Sequence, residues 1–504
     1  MKHSTDDTIC HSVIESIIHQ VQQNQDGQRV FRFPHPVESL RIIETHISWI
    51  ILTGQFAYKL KKPVRFDFVD YSDLSKRQTY CHREIELNRR YAPEIYLDVC
   101  PVYKIDGLLV FGEVKGKREN VRPVEYAVKM REFPQASIAS VALPNSKNSK
   151  QLVEKFGCFL ADFHAQTDRA DPSWSVVDPK NHILACRQNF EALQGYAFGN
   201  DATRQIDELH CWTELQRKEL ELLMKQRLDD GFVRRCHGDL HLANIILTDD
   251  KLVPFDGIEF NPQFHWIDVF SEVAFVVMDL FAHGFDDLGW RFLNAYLDAT
   301  GNINNLELLK FYLVYRALVR AKITVMQMES GCDQSLKTLH QYLDTAHHCA
   351  FQAAPQLTIT FGFSGSGKST EALKLIDSAG GIRIRSDLVR TPMPAETRYN
   401  EESIDDVYSK LLNMAKSILS AGYSVVVDAT FLRKKHRDAF HELSNEMDVE
   451  FRILKCHAEY DELARRIQSR QNDPSEATLD VLRKQVAEHE PLNESEQRFV
   501  IAPA

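Results

Sequence analysis

The chain has 504 residues, too many for one hydrophobic core, because single cores stop growing near roughly 250–300 residues. A hydrophobic content of 44% and a charged content of 26% are ordinary for a globular protein. The net charge of -11 argues against a protein that coats nucleic acid through a broad basic surface. Ten cysteines without a C-x-x-C suggest neither a zinc ribbon nor a redox pair, and fit free thiols in a reducing compartment. The opening residues lack the apolar stretch of a signal peptide. The most apolar long segment, 269–282, is broken by Glu272 and Asp279 and is shorter than the roughly 20 residues of a membrane span. A cytoplasmic protein with no membrane partner is expected.

In chain order, residues 38–135 read mainly as strands, at 46–52, 56–60, 108–111 and 125–130, with one helix at 74–91. Lys59 and Lys61 point to one side of their strand, because side chains alternate with period two. Either offers a cation to nucleotide phosphates, and Lys59 is preferred. Its acidic partner should lie on the following helix. Glu84 shares a face with Tyr80, Leu87 and Asn88 and is preferred to Glu86. Residues 148–345 are largely helical, as at 151–164 and 306–328. A strand-rich lobe followed by a helix-rich lobe is the layout of bilobal kinases.

Within the helical part, His237-Gly-Asp-Leu-His-Leu-Ala-Asn244 fits the H-x-D-x-x-x-x-N catalytic loop of kinases. Asp239 would orient or deprotonate an acceptor hydroxyl, Asn244 would hold Mg²⁺, and Asp256 at the end of a second strand would be the other metal ligand. Glu259 adds a further carboxylate candidate. The alternative is a metal site built on His237 and His241.

A boundary is expected at 346–356, where Pro355 follows a helical pattern and a fresh strand begins at 357. Beyond it strands and helices alternate: strand 357–361, a helix from 368, strand 381–385, helix 401–420, strand 424–428, another helix, strand 451–456 and helix 459–471. That alternation predicts a parallel sheet with helices on both faces. Between the first strand and helix, Gly362-Phe-Ser-Gly-Ser-Gly-Lys-Ser369 fits G-x-x-x-x-G-K-[ST] at every fixed position. Backbone N–H groups of Gly362, Ser364, Gly365, Ser366 and Gly367 would wrap phosphates, helped by the positive end of the helix. Lys368 would reach the β- and γ-phosphates, Ser369 would ligate Mg²⁺, and Thr370 would add a nucleotide contact. Asp387, at the next strand end, can accept the proton of an attacking hydroxyl, and Arg390, one turn on, can hold an acceptor anion. An ordinary helix N-cap and a solvated arginine would read the same way. Asp428 ends an apolar strand at a place suited to Mg²⁺. Arg466 and Arg470 share a helix face and would close over the phosphoryl group, unless that face is merely solvated.

These motifs carry two resemblances. Asp387-Leu-Val-Arg390, Val425-Val-Val-Asp-Ala-Thr-Phe431, Arg466-Ile-Gln-Ser-Arg470 and Asp473-Pro-Ser-Glu-Ala477 follow the phosphate loop in the order found in P-loop kinases of the polynucleotide-kinase and zeta-toxin type, the AAA_33 group. That resemblance implies Asp387 as general base, Arg390 as acceptor clamp and Arg466 with Arg470 as lid. Residues 30–345 resemble the aminoglycoside-phosphotransferase branch of the kinase-like fold through His237-Gly-Asp239, Asn244, Asp256 and Asp268, the last implied to be structural. No Gly-rich loop precedes Lys59, where only Gly54 offers a tight turn, and Gly-Ile-Glu follows Asp256 in place of Phe-Gly; both argue against a protein-kinase substrate. Together, Ala57-Tyr-Lys-Leu-Lys-Lys-Pro63 and Asp256-Gly-Ile-Glu-Phe-Asn261 resemble a bacterial group of bifunctional aminoglycoside-phosphotransferase/ATP-binding proteins.

The expected architecture is an α+β bilobal kinase-like domain over 1–345 (strand-rich lobe 38–135, helical lobe 148–345), a linker at 346–356, and an α/β P-loop NTPase domain over 357–504. The expected activity is transfer of the γ-phosphoryl group of ATP, with Mg²⁺, to a hydroxyl of a small molecule by each domain, or of a nucleic-acid end by the second. The competing readings are one domain acting as a nucleotide sensor that regulates the other, and a toxin or nucleic-acid repair kinase, which the acidic charge does not encourage.

Overall fold

The computed structural model describes residues 30–66, 69–113, 121–195, 199–328, 335–391, 401–469 and 478–503. They fold as two compact units. The first takes its residues from 1–146, 169–177 and 233–267, and the second from 147–168, 178–232 and 268–504.

The first unit is built on a seven-stranded sheet. Its strands are β1 (Phe31–Arg32), β2 (Arg41–Glu44), β3 (Ser48–Leu52), β4 (Phe56–Lys61), β5 (Tyr96–Ile105), β6 (Leu108–Phe111) and β7 (Glu125–Arg131), in the order β1-β6-β5-β7-β4-β3-β2. Trp49, Ile51, Tyr58, Leu60, Val102, Leu109, Phe111 and Ala127 form its core. Helix α1 (Leu74–Asn88) starts at Asp73, whose side chain accepts the Lys76 N–H, and buries Cys81, Glu84, Ile85 and Leu87. An antiparallel hairpin, β8 (Ile245–Thr248) and β9 (Lys251–Pro254), follows the H-x-D loop and leads to Asp256.

The ten-residue β5 is not among the strands expected from the sequence; it contains Pro101, and proline cannot donate to a ladder. The structure fits it in with Pro101 opposite Tyr126 and its carbonyl accepting the Gly112 N–H. A register shift at Tyr96–Asp98 adds a bulge at the start of the strand.

The second unit combines helices with a second sheet. The helices are α2 (Ser149–Gln166), α3 (Pro179–Gln194), α4 (Asn200–Asp229), α5 (Val269–Ala282), α6 (Asp286–Thr300), α7 (Leu306–Met328) and α8 (Ser335–Ala350). Helix α5 is buried from Val269 to Phe281, which explains its nearly continuous apolar run. Asp268 caps it and also takes Nε and Nη2 of the buried Arg227 at 2.7 and 2.8 Å, a structural role. No helix among the described residues is long and apolar enough to cross a membrane.

After α8, strand β10 (Gln356–Phe361) opens the second sheet, with β11 (Ile382–Arg385), β12 (Val425–Asp428), β13 (Glu450–Lys455) and β14 (Val500–Ile501). All pairings are parallel, in the order β11-β12-β10-β13-β14. Every residue of β12 is buried, as expected of a strand covered on both faces. Helices α9 (Lys368–Ala379), α10 (Ser386–Arg390), α11 (Glu401–Ser420), α12 (Lys434–Glu446), α13 (Tyr460–Ser469) and α14 (Leu479–Glu488) complete this part.

Candidate active sites

In the first unit, strand β4 and helix α1 bring Lys59, Lys61 and Glu84 together. Glu84 is fully buried between both lysines, with Lys59 Nζ at 2.9 Å and Lys61 Nζ at 2.6 Å. Lys59 also reaches Asp256 Oδ1 at 2.5 Å. The choice between the lysines therefore resolves into a division of labour. Lys59 faces the residue at the metal position, while Lys61 pairs with Glu259, which also accepts from Tyr71 Oη at 2.6 Å. Glu259 is thus turned to the interior of the lobe and not to a metal, correcting its reading as a further metal-facing carboxylate. Glu86 is a surface residue that meets Arg235 at 2.8 Å.

Burial lowers the pKa of Lys59, but Asp256 and Glu84 outweigh it and hold it above the ordinary lysine value. Burial likewise pushes Glu84 up, and Lys59 and Lys61 overcome it and hold the carboxyl below its usual range. Two cations thus face three carboxylates, which leaves a net negative charge around Asp256.

The H-x-D loop is pinned by its histidines. His237 Nε2 donates to Phe255 O at 2.8 Å and its Nδ1 accepts the Asp239 N–H at 3.3 Å. His241 Nδ1 accepts the Ala243 N–H at 3.2 Å, and its Nε2 lies 3.4 Å from Asp239 Oδ2. Both rings are spent on the loop itself, which removes the reading of a metal site on these histidines. Gly238 has φ of 90°, and a Cβ there would collide with the Phe264 carbonyl, so only glycine fits. Asn244 donates from Nδ2 to Asp239 Oδ2 at 2.9 Å and to Asp239 O at 3.0 Å, which fixes the carboxylate and leaves the amide oxygen for a cation. Asp256 holds a left-handed φ of 63° with its N–H on Tyr96 Oη at 2.8 Å, and the Gly257 N–H sits on Asn88 Oδ1 at 2.8 Å. Such strain in a non-glycine residue persists where surrounding contacts over-determine it. A carboxylate and an amide oxygen form the hard donor set that Mg²⁺ takes.

In the second unit, the phosphate loop lines a cavity of about 800 Å³. Ser364 to Thr370 form one wall, and Asp387, Arg390, Asp428, Arg433, Arg466 and Gln485 also face the space. Lys368 is buried and donates from Nζ to Phe363 O at 2.8 Å. Gly362, at the loop entry, donates its N–H to Thr430 O at 3.2 Å. Arg390 and Asp387 pair at 3.1 Å at the end of β11, so the expected base and clamp stand side by side. Asp428 is buried, and its Oδ2 has no hydrogen-bond partner among the described residues. A buried carboxylate oxygen left unbonded in the cavity that Ser369 and Lys368 also line fits Mg²⁺ or its water shell. Arg466 donates from Nη1 to Gly365 O at 3.2 Å and from Nε to Glu462 Oε1 at 2.6 Å, and Arg465 pairs with the same glutamate. Arg470 and Asp473–Ala477 lie outside the described residues. Sequence reasoning missed Gln485, whose amide accepts the Ser364 N–H at 3.0 Å and donates to Ser364 Oγ at 3.1 Å. No motif signals a residue that reaches the loop from more than a hundred positions away.

Two family models match: the phosphotransferase enzyme family over residues 81–258 and an AAA domain, AAA_33, over residues 357–492. The chain is a phosphotransferase with two kinase-like family domains. This phosphotransferase is 28% identical over 470 residues to an uncharacterized protein of Mycobacterium tuberculosis (strain ATCC 25618 / H37Rv), covering 89% of this chain and 90% of that one. An uncharacterized protein of Mycobacterium bovis matches it equally. Similar solved structures include an amicoumacin kinase with AMP-PNP, Ca²⁺ and Ami (11% identity, 67% of this chain and 96% of that one, TM-score 0.37). A gluconokinase from Sinorhizobium meliloti 1021 is also similar (18% identity, 30% of this chain and 83% of that one, TM-score 0.25).

Proposed function

We propose that the protein is a two-headed, Mg·ATP-dependent phosphotransferase in which each head passes the γ-phosphoryl group to a hydroxyl of a small molecule. The observation that supports this reading is that each unit brings together residues of the types phosphoryl transfer needs. The first has Lys59 and Glu84, Asp239, Asn244 and Asp256. The second has the phosphate loop, Asp387, Arg390 and Asp428 around one cavity.

In the first head Lys59 binds phosphate oxygens, and Asp239, oriented by Asn244, accepts the proton of the acceptor hydroxyl. In the second, loop N–H groups and Lys368 bind the phosphates, Asp387 takes the hydroxyl proton, and Arg390 and Arg466 offset charge on the moving phosphoryl group. Asn244 and Asp256 in one head, and Ser369 and Asp428 in the other, would hold Mg²⁺. When bound, the ion would supply charge neutralisation to the phosphates. The cavity suits a small acceptor.

The test is purified full-length protein incubated with ATP and a metabolite and oligonucleotide panel, scored for mass gains of one phosphate. One product should disappear in Asp239→Ala and another in Lys368→Ala. Absence of ATP consumption, with no effect of either substitution, would refute the reading.

A further inference from the structure

Strand β11 reads Ile-Arg-Ile-Arg, an alternation that should turn its arginines to the solvent side of an edge strand. Arg383 instead is buried, because helix α6 lies against this edge. Trp290 of α6 packs on Ala372, Ile376 and Val426. Gly380 has φ of 73°, and a Cβ there would overlap the Trp290 indole. Asn294 accepts the Arg383 N–H at 2.6 Å and donates to Gly381 O at 3.0 Å, so α6 takes up edge groups that a further strand would otherwise pair. Arg291 holds Asp377 through Nε at 2.5 Å and Nη2 at 2.8 Å.

This docking places Asp298 of α6 beside the phosphate-loop site. Arg383 Nη2 donates to Asp298 Oδ2 at 3.1 Å, and its Nη1 stands 3.9 Å from Asp428 Oδ2. Arg385 Nη1 also lies 3.7 Å from Asp298. The guanidinium is therefore tethered to one carboxylate and held just out of hydrogen-bond range of the other. Consistent with that spacing, Arg383 Nε and Asp428 Oδ2 are both buried without hydrogen-bond partners among the described residues. A buried arginine and aspartate this close would ordinarily close into a direct pair. Such a pair would occupy the oxygen that a metal ion needs.

We infer that Asp298 is a positioning residue for the phosphate-loop site: it holds Arg383 off Asp428 and so keeps Asp428 Oδ2 open to the metal. The helix belongs to the segment between the two family matches, so the second head is completed by residues outside its own family domain. The inference rests on reading Asp428 as a metal-facing group.

The test uses the full chain with Asp256→Ala to silence metal binding in the first head, reading fluorescent-ATP binding against free Mg²⁺. Asp298→Ala should raise the Mg²⁺ concentration for half-maximal binding about tenfold, as the freed arginine collapses onto Asp428. Asp298→Asn, which keeps an oxygen acceptor, should stay near wild type. The double variant Asp298→Ala/Arg383→Met should return towards the wild-type requirement, because the guanidinium that stands 3.9 Å from Asp428 is gone. A merely structural ion pair predicts the opposite, a double variant at least as impaired as the single. That result overturns the inference, as does an unchanged Mg²⁺ requirement in Asp298→Ala while Asp428→Ala raises it. If Asp428→Ala itself leaves the requirement unchanged, the metal reading of Asp428 fails first. Melting curves of each variant show that the comparison is made on folded protein.

Discussion

The two candidate sites are built from different materials. The first gathers side chains from residues 59 to 259 and holds them by buried ion pairs, with Glu84 shared by two lysines. The second is mostly one continuous loop leading into a helix start, with single side chains added at strand ends. Charges buried in a cluster are costly unless every partner is present. Backbone groups at a helix start carry their partial charge whatever the neighbouring side chains are. The first site should therefore be brittle to the loss of supporting residues, and the second tolerant of it.

That contrast breaks most sharply at the chemistry. Asp239→Ala should lower formation of the first head's product by about 10²–10⁴-fold, the range for loss of a general base, and leave the second product intact. Lys368→Ala should do the converse. Product-resolved kinetics that show both products falling in either variant would merge the two sites into one functional unit.

Next in size is stability. Glu84→Ala leaves two buried lysines without their shared partner and should cost about 3–5 kcal/mol, the range for breaking a buried pair, read as a fall in Tm. The pH dependence has a definite sign. Because the folded carboxyl of Glu84 is held below its ordinary value of 4.5, its contribution is complete above that pH and is lost as the solution is acidified further. The wild-type advantage over Glu84→Ala should accordingly shrink in acid melts and stay constant from pH 6 to 8.

A smaller effect is expected where the second site has side-chain support. Gln485→Ala removes both hydrogen bonds to Ser364 and should weaken ATP binding at that head by about 1–2 kcal/mol, or roughly tenfold, with Tm nearly unchanged. The smallest is Glu86→Ala, an exposed pair with Arg235, which should change stability by no more than about 0.5 kcal/mol in thermal melts. A loss there comparable to that at Glu84 would undo the assignment of Glu84 as the buried partner.

The contrast also explains what could be read in the sequence. The phosphate loop is contiguous, so its glycines, Lys368 and Ser369 declare themselves together, and the alternation of strand and helix around them predicts the parallel sheet. The H-x-D loop is equally local. The lysine–glutamate pairing is not: period-two alternation puts Lys59 and Lys61 on one side, but nothing in the spacing shows that both meet Glu84. Gln485 and the Asp298–Arg383–Asp428 arrangement were invisible for the same reason, since each joins residues distant in the chain through packing. Strand β5 contains Pro101, whose local preference is overridden by its neighbours in the sheet.

The central claim is that one chain carries two independent nucleotide sites, and binding stoichiometry tests it most directly. Equilibrium dialysis of the full-length protein with ATP and Mg²⁺ should give two nucleotides per chain, one in Lys368→Ala, one in Lys59→Met, and none when both substitutions are combined. A wild-type value of one, or a value unchanged by either substitution, would contradict the account.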